Sequence, residues 1–199
     1  MAKAFNEEEK LLIKQKIMDI ALEIFHESGT KGLSIKELTG RAGIAQGSFY
    51  SFWKDKDSLV IDVMQYRSAQ KLALVEEHFN LSLENPVKFL SDIIYEYSID
   101  LKEKCEAKPI YAQALSMLAR KSEGKAYEIS ILYIDFISKL ANYWKERGVV
   151  KEVDERGLIN AFTGSFIIFS NYYKFEKGYF NDILKTFITA MVEKYIKLA

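Results

Sequence analysis

Apolar residues recur three and four positions apart along nearly the whole chain, and only two prolines, Pro86 and Pro109, interrupt them. That spacing places them on one face of an α-helix, and so few prolines leave long stretches free to stay helical. Ile13, Ile17, Ile20, Ala21, Ile24 and Phe25 share such a face, and Ser28-Gly29 is expected to end that helix. Two short segments, 35–42 and 46–52, follow on either side of a glycine. A long helix is expected from about Lys56 to Phe79. Asn85-Pro86 and Pro109 each open a further one, since proline suits a first helical turn. Helices are also expected from Gly124 to Arg147, over 154–176 and over 180–197. No strand-like alternation and no internal repeat is seen. The fold class is therefore all-α, with about nine helices. Near residue 80 the charged, amphipathic composition gives way to one rich in Tyr, Phe and Ile. This suggests a small domain over 1–56 and a helical bundle over 57–199.

With 199 residues, 49% of them hydrophobic, the chain can bury a core. Its single cysteine, Cys105, excludes an internal disulfide and suits a reducing, cytoplasmic location. No signal peptide is expected behind Glu7-Glu8-Glu9, and no apolar run approaches the roughly 18–20 residues of a membrane span. His26 and His78 are far apart and lack partners at metal-ligand spacing. No Walker, G-x-S-x-G or G-x-G-x-x-G pattern occurs, so neither enzymatic activity, nor a cofactor, nor a metal is expected. Net charge is +0, which argues against non-specific coating of nucleic acid. From Gly29 to Lys56, however, Lys31, Lys36, Arg41, Lys54 and Lys56 outnumber Glu37 and Asp55.

That basic stretch contains the most informative segment, Ser34 to Trp53. Ser34 and Glu37 have the spacing of a capping box, in which each side chain satisfies a free N–H at a helix start. Ile35, Leu38 and Ala42 share a face. Gly43 stands where a sharp turn needs positive φ. Phe49 and Trp53 face inward, while Gln46, Gly47, Ser48 and Tyr50 face outward. A short helix with small polar residues near its N-terminus fits a DNA major groove. Gln46 suits adenine, Ser48 suits bases or phosphate, and Gly47 lets the backbone approach. Tyr50, Lys54 and Lys56 suit phosphates.

The run Ala42-Gly43-Ile44-Ala45-Gln46-Gly47-Ser48-Phe49-Tyr50, followed by Lys54-Asp55-Lys56-Asp57-Ser58-Leu59, resembles the signature of the tetracycline-repressor (TetR) family. The resemblance covers about residues 10–65. It implies a helix-turn-helix regulator that binds a palindromic DNA operator as a homodimer. By resemblance Lys36 also reaches a base or phosphate, and Thr30, Lys31 and Ser34 meet phosphate. The sequence departs from the pattern at Ala45, where the family carries a Ser or Thr cap, and at Ser51, Phe52 and Trp53. The competing reading is a helical interaction module whose helix-turn-helix is only structural.

In the second part, 154–176 is apolar almost all round, and the last helix has a broad apolar stripe. Ile167, Ile168, Ile183, Phe187 and Met191 are expected to form a dimer interface. Tyr95, Tyr111, Met117, Tyr133, Phe136, Phe162 and Phe166 are the candidate lining of a pocket for a small apolar or aromatic effector. The resemblance implies that such a ligand loosens the grip on DNA.

Overall fold

The computed structural model describes residues 5–108, 111–116, 127–176 and 178–199. Among them the chain forms α1 (Glu7–Gly32), α2 (Ile35–Ala42), a 3₁₀-helix (Gln46–Ser51), α3 (Lys56–Glu76), a second 3₁₀-helix (Phe79–Leu83) and α4 (Pro86–Ala107). Residues 111–116 form α5. Then come α6 (Tyr127–Glu146), β1 (Val150–Val153), α7 (Glu155–Ser170), a third 3₁₀-helix (Tyr172–Lys174), α8 (Phe180–Tyr195) and β2 (Ile196–Leu198). The expected all-helical character holds. The described residues up to Arg67, with 108 and 111–116, make one compact unit; Ser68–Ala107 and those from 127 onward make the other.

In the first unit α1 starts at a reciprocal cap. The Glu9 N–H donates to Asn6 Oδ1 at 2.7 Å and the Asn6 N–H to Glu9 Oε2 at 3.0 Å. Ile17, Ala21, Ile24 and Phe25 are buried along it. The helix does not end at Ser28-Gly29 but runs to Gly32. Glycine inside a helix costs only about 1 kcal/mol, which tertiary packing overrides. Leu33, buried, is the sole link to the next cap at Ser34.

In the second unit Trp144 is fully buried on α6, and its indole N–H donates to the buried Ser82 hydroxyl at 2.7 Å. Leu184, Ile188 and Val192 form the buried stripe of α8. Two glycines of α7 let aromatic rings of α8 lie on its backbone. A Cβ at Gly157 would fall 2.3 Å from the Tyr195 ring, and one at Gly164 would fall 2.6 Å from Phe187. Helix α7 ends at Ser170, short of the expected 176, because the Ser170 hydroxyl and the Asn171 amide both donate to the Ile167 carbonyl. Helix α8 likewise stops at Tyr195, before the expected 197.

The absence of strands is corrected. β1 and β2 pair antiparallel, with Val150 opposite Leu198 and Val153 opposite Ile196. Such short strands fall below what alternation in a sequence reveals. Asp154 then caps α7, accepting from the Gly157 N–H at 2.8 Å.

Candidate nucleic-acid interface

Ser34 has extended backbone angles, and its hydroxyl accepts from the Glu37 N–H at 3.0 Å. Only this half of the expected capping box forms, because the Glu37 carboxylate pairs with Arg41 one turn on, at 2.8 Å. Leu38 and Ala42 are buried below. At the far end Gly43 adopts φ 77°, as the turn requires. Its N–H donates to the Gly40 carbonyl, and that of Ile44 donates to Thr39, the paired bonds of a Schellman end. The Lys16 ammonium binds the Ala42 carbonyl at 3.1 Å, a cation on the negative end of α2.

The second arm is a 3₁₀-helix of six residues rather than an α-helix. Ala45 carries no side-chain cap, so the Ser48 N–H turns to the Ala45 carbonyl at 2.9 Å, a three-residue bond that tightens the turn. Phe49 and Trp53 are both buried, with ring centroids 5.5 Å apart. The Trp53 indole N–H donates to Asp62 Oδ2 at 2.9 Å, and the same oxygen receives Lys14 at 2.9 Å. Thus α1, the second arm and α3 meet at one carboxylate. This anchor went unforeseen in the sequence, since Asp62 lies inside a helix with no motif around it. The Asp55 carboxylate accepts from both the N–H and the hydroxyl of Ser58, each at 2.7 Å, and starts α3.

The buried ring pair leaves the other face of the arm outward. Gln46 and Gly47 are exposed, Ser48 is half-buried, and Tyr50 is 58% exposed with its ring edge against Phe49. Ser34, Lys36 and Lys54 are exposed as well, and Lys56 is half-buried. Of Thr30 and Lys31 only the helical backbone is described; their side chains lie outside the described residues, as does all of Met117.

The remaining aromatics named in the sequence separate into different neighbourhoods. Tyr111 belongs to the first unit, where it meets Phe25 edge-on at 5.1 Å and lies under Arg67. In the second unit Tyr133 stacks on Phe162 at 4.5 Å. Burial raises the Tyr133 phenol well above its ordinary range, with Tyr97 adding to the shift. Phe136 packs on Phe79, Phe166 on Phe169, and Tyr95 faces the Lys185 ammonium. Ile167 and Ile183 are 58% and 40% exposed, while Ile168, Phe187 and Met191 are half-buried. Among the described residues no group of His, Cys, Asp and Glu could hold a metal, and no helix is long and apolar enough to cross a membrane.

A capped first helix, a left-handed glycine turn and a second arm pinned by two buried rings define a helix-turn-helix domain. Residues 17–63 match the family model described as bacterial regulatory proteins, tetR family. It is 27% identical over 81 residues to the HTH-type transcriptional regulator AcrR of Shigella flexneri, a match covering 41% of this chain and 38% of that protein. It is 28% identical over 61 residues to the fatty acid metabolism regulator protein of Bacillus subtilis, covering 31% of each. The matches thus span about a third of these relatives. Of solved structures, Thermus thermophilus FadR, a TetR-family repressor in complex with lauroyl-CoA, superposes with a TM-score of 0.62 at 17% identity, covering 90% of this chain and 93% of that one. A TetR-family regulator from Pectobacterium atrosepticum gives 0.58 at 18% identity, covering 96% and 95%. These likenesses establish a shared fold.

Proposed function

We propose that the chain is a transcriptional repressor that binds a palindromic operator as a homodimer and releases it when a small apolar or aromatic effector binds. The observation that carries this reading is the outward polar face at Gln46, Gly47 and Ser48, set on an arm whose opposite face is fixed by buried Phe49 and Trp53. A rigid mount of this kind is what base readout needs. In this reading residues 1–56 are the DNA-binding domain and 57–199 hold the effector and the dimer contacts. Lys36, Gln46, Gly47 and Ser48 read bases. Ser34, Tyr50, Lys54 and Lys56, with Thr30 and Lys31, hold phosphates.

The dimer reading draws on the exposed Ile167 and Ile183 and the half-buried Phe187 and Met191 of the same two helices. The effector reading draws on the buried, stacked Tyr133 and Phe162, two apolar rings with a phenol that could orient a ligand. An acyl chain, such as FadR carries in lauroyl-CoA, is one apolar body of the right kind.

Selection of bound duplexes from a random DNA pool tests the function, and recovery of a palindrome is the expected result. Gln46→Ala then relaxes preference at one base position, and Lys54→Ala weakens all sequences alike and lowers the salt slope by about one. A structural interaction module would enrich no sequence and respond to neither substitution.

A further inference from the structure

Two exposed residues of the second arm weaken it locally with no compensation inside the chain. Ala45 stands at the cap position, where a Ser, Thr, Asp or Asn side chain would satisfy a free N–H and alanine satisfies none. Gly47 lies inside the arm, yet it does not adopt positive φ, and a Cβ built there would meet nothing within 4 Å. Neither backbone nor packing requires glycine there, and glycine loses more conformational freedom on folding than any other residue. Local mismatches of this kind gather at functional surfaces.

Ala45 is exposed, as is Gln46 between the two. Its place is fixed from both sides. The Ile44 N–H before it donates to the Thr39 carbonyl at 3.0 Å, and the Ala45 carbonyl accepts from the Ser48 N–H at 2.9 Å. A Ser or Thr at this position would turn its hydroxyl to the N–H groups of the arm, whereas alanine offers only a methyl. On the base edges of a major groove the apolar group is the C5-methyl of thymine, and alanine is a side chain suited to contact it.

We propose that Ala45 is a specificity-determining residue whose methyl packs on the C5-methyl of a thymine, in the base pair that Gln46 reads or the next one. The inference rests on the DNA-reading proposal above. Adjacent residues of a 3₁₀ turn advance by about 2 Å, less than the base step of about 3.4 Å, so the two contacts fall on the same or neighbouring pairs. Gly47 removes side-chain bulk just beyond, which lets the arm approach closely enough for so short a side chain to reach.

The test starts from the palindrome recovered from the random pool. It is resynthesised with deoxyuridine in place of thymine, one position of a half-site at a time, which deletes the C5-methyl and leaves base pairing intact. Fluorescence anisotropy with the full chain reads each affinity. One position, in or next to the base pair that Gln46→Ala relaxes, loses about fourfold, the worth of one buried methyl. Ala45→Gly binds the thymine and deoxyuridine duplexes equally; the ratio of the two is blind to any uniform weakening, and a thermal melt confirms that the variant folds. No deoxyuridine penalty at such a position, or a penalty that persists in Ala45→Gly, would overturn this assignment and leave the DNA-reading proposal standing. Enrichment of no sequence from the pool would remove both.

Discussion

At the residue scale, Asp62 shows how one side chain can fix the second arm of the helix-turn-helix. Its Oδ2 accepts from Trp53 at 2.9 Å and from Lys14 at 2.9 Å, and Lys14 also lies 5.7 Å from the Trp53 ring. Trp53 is only 3% exposed, so its indole N–H has no ready substitute in water. Asp62→Ala therefore leaves a buried donor unsatisfied and destabilises the first unit by about 1–3 kcal/mol. Asp62→Asn, which keeps an acceptor oxygen, loses distinctly less. Urea unfolding followed by tryptophan fluorescence measures both. Cys105 makes the opposite point, that a lone cysteine need not be reactive. Burial, with the Glu106 charge adding to it, pushes its thiol up to about 11. At pH 8 roughly one thiol in a thousand is then the nucleophilic thiolate. A disulfide labelling reagent should accordingly react slowly with the native chain and rapidly once it is unfolded. Equal rates would show Cys105 to be accessible.

At the scale of elements, glycines of one residue type carry opposite consequences. A Cβ at Gly157 would meet three Tyr195 ring atoms at 2.3–2.5 Å, the root of the ring (Cγ) among them, so the ring on the last turn of α8 must shift. Gly157→Ala is expected to cost about 1–3 kcal/mol by overpacking. Gly40, exposed inside α2, has nothing within 4 Å of its would-be Cβ. Gly40→Ala is expected to stabilise by about 0.5–1 kcal/mol. Thermal melts of the two variants should therefore move in opposite directions. Only part of this was legible in the sequence. The span of α2 and the Gly43 turn could be read from Ser34, from the 35/38/42 spacing and from a glycine at the required place. What the residues could not reveal was competition between partners. Glu37 could cap or pair with Arg41, and it pairs. Nor did a six-residue stretch announce itself as a 3₁₀-helix, since Phe49 within it and Trp53 just beyond it suit either winding. The Val150–Val153 strand was hidden for another reason: its partner, Ile196–Leu198, lies beyond two further helical segments, and pairing of that range leaves no local pattern. Among the aromatics, composition indicated abundance but not company. Tyr133 and Phe162 stack, whereas Tyr111 falls in the other unit beside Phe25.

At the scale of the whole molecule, the proposed function sets a demand that one copy of the chain cannot meet. In that proposal a single 3₁₀ arm of six residues offers Gln46, Gly47 and Ser48 to only a few base pairs. Under the same proposal two arms reading half-sites about 34–36 Å apart would supply the remaining specificity, and that spacing needs a two-fold pair of chains. The proposed surface for such a pair lies on helices α7 and α8. Their buried stripes, including Leu158, Phe162, Leu184 and Ile188, belong to the core of one copy. Ile167 and Ile183 remain exposed, and the rings of Phe187 and Tyr195, seated on Gly164 and Gly157, are half-buried. An isologous interface repeats one patch on both copies, so a charge placed there enters it twice. Ile167→Glu combined with Ile183→Glu should therefore give a native mass near 23.0 kDa, where the parent chain gives about twice that value. The fold of each copy should persist, because both positions face outward. Binding to a palindrome should fall steeply while binding to a single half-site stays weak and nearly unchanged. A parent chain that is monomeric at micromolar concentration, or a charged variant that still binds the palindrome at parental affinity, would remove α7 and α8 from the proposed interface.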